Sequence, residues 1–344
     1  MTSASPDHRR RDGSRRPRTF SIGGATFDLF VHCPHHVMTL ADGTRAFTLP
    51  LGHKVPAERI IGACGGGASN SAVGLARLGC EAHFSGVVGD DQWGTALLEN
   101  LKREGVRTDT VTVVEDETSS FSIIFNADGG ERVIVYQTGA NRHMHDATFP
   151  RHMLAEVEWV YFNRIPEQAC MIEDDIVAAL IAPGGPQMTW NPGGCQIEMG
   201  MHFKHHVELL KRTGLLLLNK EEAAIFTKTT TVHDALKTLS AAGAAIVCIT
   251  DGKNGATATD GSTVITCPTA PADVVDTTGA GDAFGIGMTW ALIRGHDLPT
   301  ALHAGTINAS SVVGAFGAQA GLLTDTEMHE RLGRLHLPLE AAPL

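Results

Sequence analysis

Nine residues, "DTTGAGDAF" (Asp276 to Phe284), set two acids, two threonines and two glycines between an apolar stretch and the helical run "GIGMTWALI". A glycine-rich turn that opens a helix leaves the backbone N–H groups of Gly279, Ala280 and Gly281 pointing outward, and the helix dipole adds positive potential there. That is a cradle for an anion. Asp282 stands beside it, and a carboxylate next to a phosphate is costly unless it accepts a proton from an attacking hydroxyl. The chemistry would be phosphoryl transfer with its own base. Taken alone, the string reads equally as an ordinary glycine-rich cap whose acid complements the dipole.

A second cluster, "GACGGGASN" (Gly62 to Asn70), also precedes a helix. Gly66 and Gly67 would let backbone approach a ligand, and Asn70 can donate and accept, as a polyhydroxylated substrate requires; the alternative is a loop with Asn as a helix cap. No G-x-x-x-x-G-K-[ST] occurs, because Asn254 follows the lysine of "DGKNGA", and no strand-linked G-x-G-x-x-G supports a dehydrogenase. The H-x-x-H-H strings at His32–His36 and His202–His206 raise a metal site, with His202 and His206 on one helix face; surface histidines explain the same letters.

The elements that must position these residues alternate short apolar runs with helical patterns, an α/β signature. "TFSIGGATFDLF" reads as an opening strand whose end delivers Asp28, followed by the helix "SNSAVGLARLG" and the strand "EAHFSGVVGD". Runs such as "LLLL" and "AAIVCI" read as parallel strands buried on both faces. Residues 110–136 carry three strand-like runs with a hairpin signal at "NADGGE" and no helix between them. With the strand-like 40–60 stretch they make a small β appendage.

The 344 residues suffice for one large domain with an appendage. A 43% hydrophobic and 19% charged composition, with no run of about 18 apolar residues, is that of a soluble protein without a membrane span. Residues 1–18 read as a disordered basic tail. Setting aside its six arginines and two aspartates takes the formal net charge from −11 to −15, which opposes a nucleic-acid groove and favours small-molecule partners. Seven scattered cysteines without a C-x-x-C pair fit reduced thiols and a cytoplasmic location.

The ordered series Asp28, "GGGASN", "ARLG", "GVVGDDQWG", "GAN", "NPGG", "LNKEEA", "TDGKNGA", "DTTGAGDAF" and "GA" at 317–318 resembles the ribokinase-like (PfkB-type) carbohydrate and nucleoside kinases over about residues 20–325. The resemblance implies a three-layer α/β/α domain (19–330) with a mostly parallel central sheet, a β-sheet lid from about 40–60 and 110–136, and a C-terminal tail at 331–344. It implies Asp282 as base and Gly279, Ala280 and Gly281 as the anion hole. Asp28, Gly66, Gly67, Asn70 and Asn141 would hold the substrate. Asn219 and Glu222 would organise Mg²⁺ and phosphates, Glu222 through water. Thr250, Gly252 and Gly255 would line the ATP site, with Asn308 approaching the adenine. Asp276 and Thr278 would border a monovalent cation such as K⁺, and a homodimer through the lid fits the family.

Departures bear on the substrate. Gly67 stands where "GGKGAN" has its lysine, and Arg164 stands where ribokinases carry glutamate. Arg164 either meets an acidic or phosphorylated sugar or pairs with Glu167 or another surface acid. Phe121 and Phe125 either stack on a nucleobase or fill the lid core. The expected activity is ATP-dependent phosphorylation of a hydroxymethyl group on a small sugar; a nucleoside kinase of the same fold and a non-catalytic sensor are the alternatives.

Overall fold

Leu215, Leu216, Leu217 and Leu218 are all buried, and successive strand side chains point to opposite faces, so this run must lie between two apolar layers. Leu215 and Leu217 pack with Leu75, Ile286 and Leu302, whereas Leu216 and Leu218 pack with Leu209, Phe226 and Leu236. Trp159 and Tyr161 divide from Val160 and Phe162 in the same way. These two cores define a three-layer α/β/α arrangement.

The computed structural model describes residues 15–127, 132–144, 151–165, 173–181 and 185–344. In chain order its first strands are β1 (Arg18–Ile22), β2 (Thr26–His32), β3 (Val37–Thr39), β4 (Arg45–Phe47), β5 (Arg59–Gly65), β6 (Glu81–Ser85), β7 (Val87–Gly89) and β8 (Thr112–Val114). There follow β9 (Phe121–Asn126), β10 (Arg132–Gln137), β11 (Trp159–Asn163), β12 (Gln187–Asn191), β13 (Leu215–Asn219), β14 (Ile246–Thr250), β15 (Ala256–Thr259), β16 (Thr263–Cys267) and β17 (Glu340–Pro343). The helices are α1 (Gly67–Arg77), α2 (Gln92–Arg103), α3 (Glu173–Ile181), α4 (Cys195–Met199) and α5 (Lys204–Leu210). The remainder are α6 (Lys220–Thr227), α7 (Val232–Ala241), α8 (Ala280–Ile293), α9 (Leu298–Val312) and α10 (Asp325–Arg334).

The main sheet runs β17-β16-β15-β14-β13-β12-β11-β1-β6. The six strands from β14 to β6 are parallel, and β15, β16 and β17 continue antiparallel. Helix α8 is apolar all round because it is enclosed all round, and Gly287 lets α9 approach: a Cβ there would stand 2.4 Å from the Ala304 carbonyl oxygen. A second sheet, β10-β9-β2-β5, forms the lid.

Four expectations change. "TFSIGGATFDLF" is two strands, because Gly23 (φ +144°) turns the chain out of the main sheet at β1 and into the lid at β2. Asp28 therefore belongs to the lid. The lid takes its strands from 26–32, 59–65, 121–126 and 132–137; within the expected 40–60 stretch, Arg45–Phe47 pairs with Val37–Thr39 apart from it. The expected C-terminal tail instead completes α10, whose start is capped reciprocally by Thr324 and Glu327, and adds β17 to the main sheet edge. Strands β9 and β10 pair antiparallel on either side of the expected hairpin, whose tip at 128–131 lies outside the described residues, as does the basic tail through residue 14. Cys33, Cys64, Cys80, Cys248 and Cys267 are free thiols, whereas Cys195 is disulfide-bonded, against the expectation of uniformly reduced cysteines.

Candidate active site

The C-terminal ends of β1, β11, β12, β13 and β14 meet at one rim of the sheet, where open α/β folds bind ligands. Helix α8 begins at that rim. Gly279 is its N-cap in the left-handed region (φ +77°), and a Cβ there would stand 2.4 Å from the Ala318 Cβ, so this position is closed to larger residues. A Cβ on Gly281 would meet nothing within 4 Å, which leaves the turn open on its outer side. In this first turn the Ala280 N–H donates to the Thr277 carbonyl oxygen at 3.3 Å, and the Gly281 N–H has no helical carbonyl to bond, as an anion cradle requires. Asp276 shapes the turn: its carboxylate accepts from the Thr278 N–H (3.1 Å), the Thr278 hydroxyl (2.8 Å) and the Gly317 N–H (3.1 Å).

Asp282 lies on the first turn of α8, with its Oδ2 accepting from Asn70 Nδ2 at 2.8 Å. Burial pushes its carboxyl above the usual carboxylate range, and the Asn70 bond partly offsets this. Asn70 comes from α1, whose approach rests on the triple glycine. Gly66 is in the left-handed region (φ +93°), and a Cβ on Gly67 would stand 2.8 Å from Asn163 Oδ1 and 3.4 Å from Asp282 Oδ1.

Beside Asp282 opens a polar cavity of about 600 Å³ between the main domain and the lid, with Asp28, Gly66, Gly67, Asn141 and Arg164 in its wall. Asp28 accepts a short hydrogen bond from Ser122. Its pKa is raised to about 6, first by burial and then by the charges of Asp276 and Asp282, with the Ser122 bond opposing. Asn141 donates to the Ala25 carbonyl oxygen at 3.2 Å, while its buried Oδ1 has no partner among the described residues, as an acceptor kept for a ligand would.

Two further polar residues, Asn163 and Ser122, line this cavity and were not expected from motifs. Asn163 ends β11, so the rule that parallel strands deliver ligand-binding groups from their C-terminal ends could have found it. Ser122 is a lid residue paired in register with Asp28, a juxtaposition only the sheet reveals. Arg132, on lid strand β10, hydrogen-bonds the Thr277 hydroxyl, which brings a guanidinium from the lid to the turn that opens α8.

A second cavity of about 620 Å³ includes Asn219, Lys220, Thr230, Thr250, Asp251 and Gly252 in its lining. Asn219 and Thr250 are register neighbours at the ends of β13 and β14. Asn219 and Glu222 form a capping box at the start of α6, each side chain accepting from the other's backbone N–H at 2.9 Å. Burial raises the Glu222 pKa, opposed by the Asn219 N–H and the nearby Arg164. Hard oxygen donors at this rim suit Mg²⁺ held through water. Gly255 (φ +90°) is required by the fold, since a Cβ there would stand 2.1 Å from the Cys267 carbonyl oxygen.

Asn308 does not reach this cavity. It is fully buried, its Nδ2 donating to the Ala283 carbonyl at 2.7 Å and its Oδ1 accepting from the Leu323 N–H at 3.2 Å, so it ties α9 to α8. Phe121 packs with Phe27 and with Trp93 of α2, and Phe125 with Phe47 of β4; the aromatic side chain lining the cavity at Gly67 is Tyr136. Arg164 lines that cavity and lies over Gly193 and Gly194, while its alternative partner Glu167 is outside the described residues.

Among the described residues no group of three or more His, Cys, Asp or Glu could hold a metal ion, so the histidine strings gather no such ligand set there. His206 is buried among Trp190, Phe203 and Phe226, and α5 starts only at Lys204, so His202 does not share its face. Tyr161 lies beneath α8, its buried hydroxyl without a hydrogen-bond partner among the described residues, and a Cβ on Gly285 would stand 2.1 Å from that oxygen. No helix among the described residues is long and apolar enough to cross a membrane.

The sequence pattern of the pfkB family carbohydrate kinases matches residues 54–325. The ribokinase of Bacillus subtilis is 34% identical over 268 residues, 78% of this chain and 87% of that protein. The aminoimidazole riboside kinase of Salmonella typhimurium is 29% identical over 78% of this chain and 86% of its own length. In fold, the chain is similar to the Arabidopsis thaliana ribokinase solved with ribose and ATP, at a TM-score of 0.75 and 23% identity, covering 94% of this chain and all of that one.

Proposed function

We propose, for a chain that belongs to the pfkB family of carbohydrate kinases, that it transfers the γ-phosphoryl group of ATP to a hydroxymethyl group of a small sugar with Asp282 as base. What supports this reading is one enclosed carboxylate, Asp282, standing between the polar cavity at Gly67 and the open turn at Gly281. Asp28 and Asn141 offer acceptors to sugar hydroxyls, and Asn70 offers a donor. Asp282 takes the proton from the attacking hydroxyl; its raised pKa makes it a stronger base than an exposed aspartate. The N–H groups of Gly279 and Gly281 would meet the charge on the transferred group, while that of Ala280 is engaged by the Thr277 carbonyl oxygen and would have to turn to join them. Asn219, Glu222, Thr250 and Gly252 form the ATP side, where Mg²⁺ would neutralise phosphate charge. The lid excludes water from the transfer.

A nucleoside acceptor is the second reading, favoured by Tyr136, Ile134 and Ile124 in the cavity wall, which could meet a base. A coupled ADP-release screen over ribose, fructose, acidic sugars, adenosine and inosine separates the two. Turnover of ribose or fructose is expected, and turnover confined to nucleosides would overturn the sugar assignment. ATP binding without turnover of any acceptor would favour a sensor. The exposed Val133 and Val135 of lid edge strand β10, on the face away from the cavity, form the surface through which two copies would pair, to be checked by sedimentation.

A further inference from the structure

Behind Asp282 runs a line of amides. Asn70 Nδ2 donates to Asp282 Oδ2 at 2.8 Å, and Asn70 Oδ1 accepts from Gln319 Nε2 at 3.0 Å. Gln319 Oε1 accepts from Asn100 Nδ2 at 2.8 Å, and Asn100 Oδ1 accepts from Arg103 Nη2 at 2.6 Å. Gln319 also donates to the Ser69 hydroxyl at 3.1 Å. The three amides are each at least nine-tenths buried and come from α1, the loop before α10, and α2. Arg77 of α1 fixes the loop itself, donating to the carbonyls of Gln319 (2.7 Å) and Leu322 (3.0 Å) while Glu104 holds its other face.

An amide can be turned over at almost no cost in shape, so direction must come from its partners. Here both ends of the line are one-sided. Arg103 only donates, which makes Asn100 Oδ1 an acceptor and sends Asn100 Nδ2 inward to Gln319. Ionised Asp282 only accepts. Turning any one amide would set oxygen against oxygen and nitrogen against nitrogen in a buried place.

We propose that Gln319 is a positioning residue that holds the Asn70 amide with its N–H toward Asp282 and its carbonyl turned away, so that Asn70 meets the reacting centre as a donor only. This rests on Asp282 being the base of the proposed reaction. It assigns the Asn100–Gln319–Asn70 line a chemical task beyond packing: stabilising the ionised carboxylate before proton transfer. The other ionisable groups in electrostatic reach of Asp282 are Asp28 from the lid, Glu222 at the start of α6 and Tyr161 from β11, and none belongs to the line.

The test is titration of Asp282 by carbon NMR in the ligand-free protein carrying ¹³Cγ-aspartate, the resonance being identified by its loss in Asp282→Asn. Gln319→Met removes the donor to Asn70 and should raise the Asp282 midpoint by about one pH unit, a tenfold change in proton affinity. Gln319→Glu, which can only accept once ionised, should turn Asn70 over and raise it further. Thermal unfolding checks each fold. A midpoint unmoved in folded Gln319 variants, with only a lower melting temperature, reduces the line to packing and overturns the proposal. Should neither variant fold, exposed Arg103 decides: Arg103→Met should raise the midpoint, Arg103→Lys should restore it, and an unmoved midpoint in Arg103→Met overturns the proposal. Because the titration needs no acceptor, its failure is distinct from failure of the kinase reading, which the ADP-release screen judges. Where an acceptor is turned over, the acid limb of kcat should move by the same amount.

Discussion

The two sides of the cavity at Gly67 are built differently. On the main-domain side, behind the cavity lining, Asp282, Asn70 and Asp276 are each held by named donors within buried structure. On the lid side, Asp28 is held by Ser122, while β10 is exposed along its whole length. The aromatic group Trp93, Phe27 and Phe121 joins α2 to the lid, with ring centroids 4.4 Å and 5.2 Å from Trp93. Under the proposed function the contrast is a division of labour: the groups proposed for proton transfer sit on packed helices, and those proposed for recognition sit on a sheet whose edge strand β10 is exposed.

Breaking the main-domain side should have the largest effect. Asp282→Asn is expected to lower kcat about 10³-fold while ATP affinity, read by calorimetry, is kept; unchanged turnover would remove Asp282 from the base role. On the lid side, Asp28→Asn should act on two quantities in opposite directions. Folding favours the neutral carboxyl of Asp28, so its contribution to stability is full below about pH 4 and is lost as pH rises through about 6. At pH 8 the substitution should therefore raise the unfolding free energy by up to about 3 kcal/mol, with little gain at pH 4, while the sugar KM rises. Urea unfolding at the two pH values checks the sign, and a loss of stability at pH 8 would contradict it.

Arg132→Met sharpens the comparison where the two sides touch. It should lower kcat about tenfold without changing the melting temperature, since this exposed guanidinium meets the turn that opens α8 but supports no core. Tyr136→Ala should have the smallest effect, raising KM for any nucleoside acceptor about fivefold more than for ribose. Equal changes for both would remove Tyr136 from base recognition.

The main-domain side was also the more legible in sequence. Asp282, its glycine turn and the Gly66–Asn70 segment are local motifs, because a helix start needs its residues in one short stretch. The lid strand bearing Asp28 was not, since both halves of "TFSIGGATFDLF" have strand character and only the turn at Gly23 divides them. Asn308 carries the right residue type near the right place, yet Ala283 and Leu323 claim both ends of its amide. Gln319 and Asn100 have no local signature: their pairing exists only where α1, α2 and a distant loop converge.

The contact between Tyr161 and Gly285 bears on how such a site could be retuned. With the phenol oxygen seated where a methyl group on the helix would otherwise be, the ring works as a depth stop for α8, one turn below its reacting end. Shortening that stop to phenylalanine, or padding it with alanine at 285, would slide or lift the helix mouth while leaving every ligand-facing residue as it is. Engineers wishing to shift the donor–acceptor spacing have there a set screw outside the pocket.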